Sequence, residues 1–534
     1  MCIVAQSIVA DGGAPAAIQD IASLHGAHQE RDLYVYTKKF RIPIEPYDIF
    51  VCGQKVSVIL VHQWLHCISQ AGRFTPALLG SSDEADILEF WGHASAKTPW
   101  KDAYKDVDWS KLLPLVWHYD GAEVHRNSEW DIFSYRCALS HGQDIMDAKH
   151  LYTAVPCSLF KGEKKHQLHT AITALIKWDM EVCMSGLWPS KDYLGADMVG
   201  EHASRAGLEF ANGWKATLLG CNADNKARVE ANQFQRNYMA TLVCDRCLAC
   251  QPGCKKSLDL CSFYNFDANA GYKCTYFSHE GYMRTCGTPS PWAQVPGWTL
   301  HCAFFDLMHT VFLGTARLLL ASAVHTLFKN GLLNGATAEI GCANLFSEFK
   351  QWGKTLGIYI PAATFTAKSL GFEDLEYACL STTIKAITVK HLLSFMVHKM
   401  KNVQHLDVLG TCLWSLGSCI DIWYAGGLIL SKSDAAKAYE LGIVHLQTYQ
   451  RLAGEAQAQG LLLYKIIPKF HYFLHILEDQ LHTQLNPCHV SNAFDCESYL
   501  GKVKKPGKAC RGAKNMTKRA MQRHLLRLAV RWNG

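Results

Sequence analysis

The run Leu115-Val116-Trp117-His118-Tyr119, closed by Asp120-Gly121, is the stretch on which the reading of this chain turns. Mostly apolar and aromatic residues ended by an Asp-Gly turn signal predict a short buried strand with a carboxylate at its C-terminal end. Two more β-rich runs follow, Trp130–Ala138 and Leu151–Val155. Lys165–Met184 then carries Leu168, Ile172, Leu175 and Ile176 at helical spacing, with Gly186 as a stop. Trp214–Leu219 reads as a fourth strand ending at Cys221-Asn222-Ala223-Asp224. A polar helix over Asn225–Arg236 and a fifth strand at Ala240–Val243 complete the order βββ-α-β-α-β.

That is the order of a ribonuclease H-like α/β core, with acids at the ends of the first and fourth strands. Working outward, residues 1–110 form an N-terminal mixed α/β segment with helices near Val56–Ala71 and Ser82–His93. The core spans 111–243, and 244–300 is a Cys/His-rich loop. Residues 301–465 are a large all-α insertion: Phe304–Phe328, Thr337–Trp352, Leu380–Met400, Leu406–Leu430 and Ser433–Ala456 place apolar residues at i, i+3 and i+4. Residues 466–505, including a helix over Pro468–His482, return to the core, and 506–534 is a basic C-terminal tail.

The chain has 534 residues, with 49% hydrophobic and 19% charged, which excludes a largely disordered protein. Its net charge of +6 is unevenly spread. Eleven bases follow Glu497 with no acid among them, and the rest of the chain holds 42 bases against 47 acids. A basic end on a mildly acidic body points to a polyanion, here DNA, through Lys502, Lys504, Lys505, Lys508, Arg511, Lys514, Lys518 and Arg519. A solvated charge run is the plainer alternative. The 22 Cys are too dilute for a disulfide scaffold. No basic-then-apolar leader opens the sequence, and Val408–Ile420 is shorter than a membrane span. The expectation is an intracellular protein, nuclear or otherwise, neither secreted nor membrane-bound, with self-association left open.

Phosphoryl transfer with two Mg²⁺ or Mn²⁺ ions needs carboxylates from separate elements converging on one point. Asp120 and Asp224 meet that need if the strand order holds, although Asp-Gly is also an ordinary turn and Asp-Asn an ordinary helix start. The third acid is Glu497 or Asp306. Cys244, Cys247, Cys250 and Cys254 have the C-x2-C-x2-C-x3-C spacing of an iron–sulfur run. Structural Zn²⁺ at Cys244 and Cys247, completed by His279 and Cys286, is the preferred reading. Cys250, Cys254, Cys261 and Cys274 compete for those places, and free buried thiols are the plain alternative. His471 and His475 share a helix face at a spacing that suits a metal, and core histidines have the same pattern.

Several of these features resemble the cut-and-paste DNA transposases of CACTA (En/Spm-type) elements and the hAT-like relatives, over about residues 110–505. Leu113-Pro114 to Gly121 resembles the segment of their first catalytic Asp. Asp224-Asn225 followed by Cys244-x2-Cys247 is similar to their second Asp and trailing C-x2-C. Ser278–Arg284 resembles the histidine loop after it, and Asp306-Leu307-Met308-His309 a D-x-M-H motif. Pro468-Lys469-Phe470-His471 to His475 resembles the late P-K-x-H-x3-H helix, and Glu497 to Lys504 the acid-containing segment after it. Glu497-Ser498 departs from the usual Glu-Arg, and Cys286 stands about where a second histidine is common. The resemblance implies a DDE-type transposase, with Asp120, Asp224 and Glu497 holding two Mg²⁺ ions for DNA strand cleavage and joining. A decayed or domesticated copy would be a catalytically inactive DNA- or protein-binding protein that keeps a structural zinc site.

Overall fold

The computed structural model describes residues 44–94, 107–125, 128–140, 144–254, 260–361, 364–372, 375–401, 403, 405–510 and 515–533. They divide into two units. The first comprises Met1–Gln233, Cys286–Phe304 and Phe494–Gly534; the second comprises Phe234–Thr285 and Phe305–Ala493.

The first unit is built on a sheet. A hairpin, β1 (Tyr47–Val51) and β2 (Gln54–Val58), precedes helix α1 (Val61–Gln70) and helix α2 (Glu84–Ala94). The expected helix at Val56–Ala71 therefore loses its first turn to a strand. Strands β3 (Leu112–His125), β4 (Ser128–Cys137), β5 (His150–Pro156) and β6 (Lys215–Asn222) form a sheet of order β5-β4-β3-β6. The first three are antiparallel neighbours, and β6 lies parallel to β3. A parallel neighbour requires a crossover, which helix α3 (Glu163–Ser185) makes before Gly186 ends it in the left-handed region. Helix α4 (Asn225–Asn232) follows β6.

Register assigns the two faces of the sheet. Tyr119 pairs with Phe133, and both rings meet His169 of α3 at 5.0 and 5.9 Å. Ala122 pairs with Trp130 on the opposite face. Although β5 is an edge strand, every residue in it is buried. Beside it lies the hairpin segment, where Ile59 N–H donates to the Tyr152 carbonyl and the Thr153 hydroxyl to that of Ser57, both at 2.8 Å.

The expected fifth strand does not form. Val243 N–H turns back to the Ala249 carbonyl and Leu242 makes only an isolated bridge to Cys250, because this segment folds into a cysteine turn. The free edge of β6 is met instead by Ala303, bridged in parallel to Cys221.

The second unit is helical: α5 (His279–Thr285), α6 (Met308–Lys329), α7 (Ala338–Thr355), α8 (Ala386–Met400), α9 (Asp407–Ala425), α10 (Lys432–Ala458) and α11 (Pro468–Thr483). The apolar spacing located each of the long helices to within a few residues. The N-cap of α10 is Ser431, whose hydroxyl accepts the Asp434 N–H, rather than Ser433. Helices α6 and α9 are long and apolar enough to cross a membrane by composition, and Leu319, Val324, Leu413 and Leu416 on them are fully buried.

The chain then returns to the first unit as α12 (Phe494–Lys508) and α13 (Met516–Asn533). The expected basic tail is thus mostly folded helix. Met521, Leu525, Leu528 and Ala529 of α13 are buried, and it packs against β2 and β5. Its bases serve that packing: Arg531 pairs with Asp147 at 2.7 Å and Arg523 is buried. Three or four residues separate the apolar positions, so the helical stripe was present in the sequence beneath the conspicuous charges.

Two predictions follow from this core. Leu525→Ala should destabilise the protein by roughly 2–5 kcal/mol in urea unfolding, whereas a solvated tail would give no change. His150 accepts a hydrogen bond from the Trp64 indole at 3.0 Å, and burial pulls its pKa from 6.5 to about 4. Burial, with the Arg527 charge, takes His524 from 6.5 to about 3. Below the ordinary value of 6.5 the unfolded chain binds protons that the fold excludes. Stability should therefore fall as pH drops from 6.5 towards 4, and the dependence should be flatter in His524→Leu.

Candidate functional site

In the second unit a tight turn and one helix face bring together four side chains that could hold a metal ion. Within the turn, Arg246 N–H donates to the Cys244 sulfur at 3.3 Å and Ala249 N–H to the Cys247 sulfur at 3.4 Å. Such bonds favour the thiolate form. Pro468 opens α11 at its first turn, a position where the missing N–H costs nothing. His471 and His475 then lie one turn apart on a single face.

The Sγ of Cys247 is 3.2 Å from His471 Nε2, the Sγ of Cys244 is 3.3 Å from His475 Nε2, and the two Nε2 atoms are 3.1 Å apart. All four donor atoms lie within 4.8 Å of one another, and all four residues are buried. Zinc bonds of about 2.0–2.3 Å in a tetrahedron give donor separations of roughly 3.3–3.8 Å. The Cys₂His₂ set fits Zn²⁺ in both chemistry and spacing. Four protein donors would fill the coordination of a tetrahedral ion, the pattern of structural rather than catalytic zinc.

The surroundings hold these donors in place. His475 Nδ1 meets Glu478 at 3.2 Å, and the Tyr276 hydroxyl donates to the same carboxylate at 2.7 Å. The Phe305 ring stacks on His475 and on Tyr472, and the Arg246 guanidinium, paired with Asp479, covers Phe305. Burial pushes the Cys244 thiol up, but Cys247 and the two imidazoles outweigh it and hold it well below the usual range. Burial lowers His475, yet Cys244 and Glu478 raise it to about 10.

This arrangement corrects the expected ligand set. Cys244 and Cys247 belong to the group, but His279 and Cys286 do not. His279 opens α5, and the Cys286 thiol donates to the Thr288 carbonyl at 3.1 Å. The completing pair was in view as His471-x3-His475, but more than 220 residues separate it from the cysteines. Cys250, Cys254, Cys261 and Cys274 also stand outside the group, so the iron–sulfur spacing is not assembled.

In the first unit, β3 and β6 pair in parallel from Leu112↔Lys215 to His118↔Asn222. Asp120 and Asp224 each stand two residues beyond that last pair. The expected strand end at Asp120-Gly121 does not form: β3 runs on to His125, pairing Asp120 with Ile132 and Gly121 with Asp131 of β4. Asp120 is nearly buried, at 9% exposure. Asp224 caps α4, its carboxylate accepting the Ala227 N–H at 2.6 Å. Glu497 lies exposed in the first turn of α12. That helix covers the Asp120 face of the sheet, since a Cβ on its Gly507 would lie 3.0 Å from Val124 and 3.6 Å from Trp130.

Asp306 belongs to the second unit and is committed locally: its carboxylate accepts the His309 N–H at 2.7 Å and meets the His309 ring at 2.8 Å. Asp131, an acid that sequence reading did not single out, is buried on the opposite face among Tyr119, His169 and Lys165. Among the described residues, only the Cys₂His₂ set brings three or more Cys, His, Asp or Glu donors close enough to share an ion. Asp120, Asp224 and Glu497 are not drawn together to that extent.

Of the expected DNA-binding bases, Lys502, Lys505 and Lys508 are exposed on α12 and Lys504 is half-buried. Lys518 lies 3.9 Å from Asp48, and Arg519 is half-buried on α13. Arg511 and Lys514 lie outside the described residues. Neither protein-family models nor curated protein sequences yield a match to this chain.

The purified protein should carry one zinc per chain by elemental analysis. Cys247→Ser and His475→Asn should lose it, while His279→Ala, Cys286→Ser and Cys250→Ser should keep it. Glu478→Gln should retain zinc with roughly 10–100-fold weaker affinity, read by chelator competition.

Proposed function

We propose that the protein is transposase-like, with a ribonuclease H-like core that cleaves and joins DNA strands through phosphoryl transfer. The observation that carries this reading is the strand order β5-β4-β3-β6 with β6 alone parallel. With it, Asp120 lies on β3 two residues past its last pair with β6, and Asp224 lies two residues past the same pair, just beyond β6. Helix α12 supports the reading by covering the Asp120 face while carrying Glu497. Glu497 is favoured over Asp306 as third acid because α12, which carries it, packs on β3, the strand of Asp120.

Asp120, Asp224 and Glu497 offer hard oxygen donors of the type that Mg²⁺ or Mn²⁺ takes. A pair of such ions, when bound, supplies an activated water or 3′-hydroxyl and a stabilised leaving oxygen. The chain's own contribution is to hold Asp120 on β3 and Asp224 just past the neighbouring β6. It also presents Lys504 and Lys508 on the same helical face as Glu497, at i+7 and i+11. Those bases suit the phosphates of bound DNA, the expected partner, and self-association fits the same chemistry.

The alternative is a DNA- or protein-binding protein that keeps the zinc site but not catalysis. The Asp224–Ala227 cap favours it, since that carboxylate already has a structural task. The two readings separate in one experiment on a supercoiled plasmid with Mn²⁺ or Mg²⁺. Nicking that Asp120→Asn abolishes, with unchanged circular dichroism, supports the transposase reading. Nicking that survives the substitution, or no nicking by wild type, sinks it. If DNA is bound, replacing Lys502, Lys505 and Lys508 with Gln should lower the salt slope of log K by roughly three, one per phosphate contact.

A further inference from the structure

A lysine and a cysteine of the first unit meet where no function has placed them. Lys149, just before β5, is 2% exposed, and Cys496, in the first turn of α12, is 4% exposed. The Lys149 amine and the Cys496 sulfur are 2.5 Å apart. A buried ammonium ordinarily takes a carboxylate or several carbonyls, because an uncompensated charge there is expensive. Here the hydrogen-bond partner is a thiol.

The separation is also informative. An N–H···S hydrogen bond spans roughly 3.3 Å, and a direct S–N bond of a sulfenamide about 1.7 Å. Two single bonds meeting at a bridging oxygen, N–O and O–S, span about 2.5 Å. We propose that Lys149 and Cys496 form a reversible covalent Nζ–O–Sγ bridge under peroxide, a redox modification site that ties β5 to α12.

The chemistry balances with hydrogen peroxide as the oxidant. One peroxide converts the Cys496 thiol to sulfenic acid and leaves as water. A second accepts two electrons as the N–O bond forms; the amine gives up one hydrogen, the sulfenic hydroxyl another, and two waters leave. In sum, one thiol, one amine and two peroxides become one bridge and three waters. Two equivalents of a dithiol reductant, each oxidised to a disulfide, supply the four electrons and four hydrogens that restore the thiol and amine and release one water. Burial draws the Lys149 pKa below its usual value, increasing the share of amine with a free lone pair. The bridge needs no DNA-processing activity, so it stands or falls apart from the proposed function. Its position beside Glu497 means that oxidation would fix the first turn of α12 to the sheet.

The test is mass spectrometry of the full-length protein treated with hydrogen peroxide. One oxygen gained and two hydrogens lost give an increase of about 14 Da, reversed by dithiothreitol. A digest should contain one cross-linked peptide joining Lys149 to Cys496, with trypsin blocked at Lys149. Cys496→Ser and Lys149→Arg should both lose that peptide. Oxidation of Cys496 to sulfinic acid without linkage, a direct S–N bond, or no reaction at this pair would each overturn the proposal. Because wild-type protein supplies the decisive peptide, a variant that fails to fold leaves the answer intact.

Discussion

Parallel pairing of β3 with β6 is the constraint from which the first unit follows. Two parallel neighbours cannot be joined by a tight turn, so the chain must leave the sheet, cross over as α3 and re-enter. The reward is that both strands run in the same direction. Asp120 and Asp224, 104 residues apart in the chain, each stand two residues past the last β3–β6 pair, Asp120 still within β3 and Asp224 just beyond β6. Alternation along β3 then separates two kinds of acid. Asp120 looks to the side that α12 covers, while Asp131, opposite Gly121 in the register, looks to α3 and is absorbed by Tyr119, His169 and Lys165. A one-residue slip would exchange those roles.

The helical unit is organised by a different economy. Each half of its metal group is prepared locally: Cys244 and Cys247 by a turn whose N–H groups already face the sulfurs, His471 and His475 by one turn of helix. Folding needs only to bring two rigid pieces together, at a small entropic cost per donor. Four buried donors that converge on one point are poorly solvated, and a Zn²⁺ ion held there would offset that penalty. Structural zinc in small domains contributes an apparent 10–16 kcal/mol. The Arg246–Asp479 pair and the Phe305 stack close the surroundings, which keeps water from competing.

Legibility in the sequence followed the range of the interaction. The strands over Trp130–Ala138, Leu151–Val155 and Trp214–Leu219 stand close to where period and turn residues put them, as do α3 and α6 to α11. The strand begun at Leu115 instead runs through its expected Asp120-Gly121 turn to His125, because β4 pairs with it along that length. Ala240–Val243 failed because a β-prone tetrapeptide was claimed by the cysteine turn next to it. The C-terminal end was misjudged for a different reason. Eleven bases hid an apolar stripe, and a long basic side chain covers apolar surface as readily as it faces water.

The site divides in the same way. Residue types and short spacings, C-x2-C and H-x3-H, are consequences of local backbone geometry and can be read along the chain. Which pair meets which cannot be, because closing a loop of more than 220 residues costs little more than closing one of 35. Nearness in sequence therefore made His279 and Cys286 the obvious partners, while packing of α11 against the turn chose His471 and His475. The meeting of Lys149 with Cys496 is of the same kind: neither residue has a local pattern, and only the burial of α12 on the sheet brings them together.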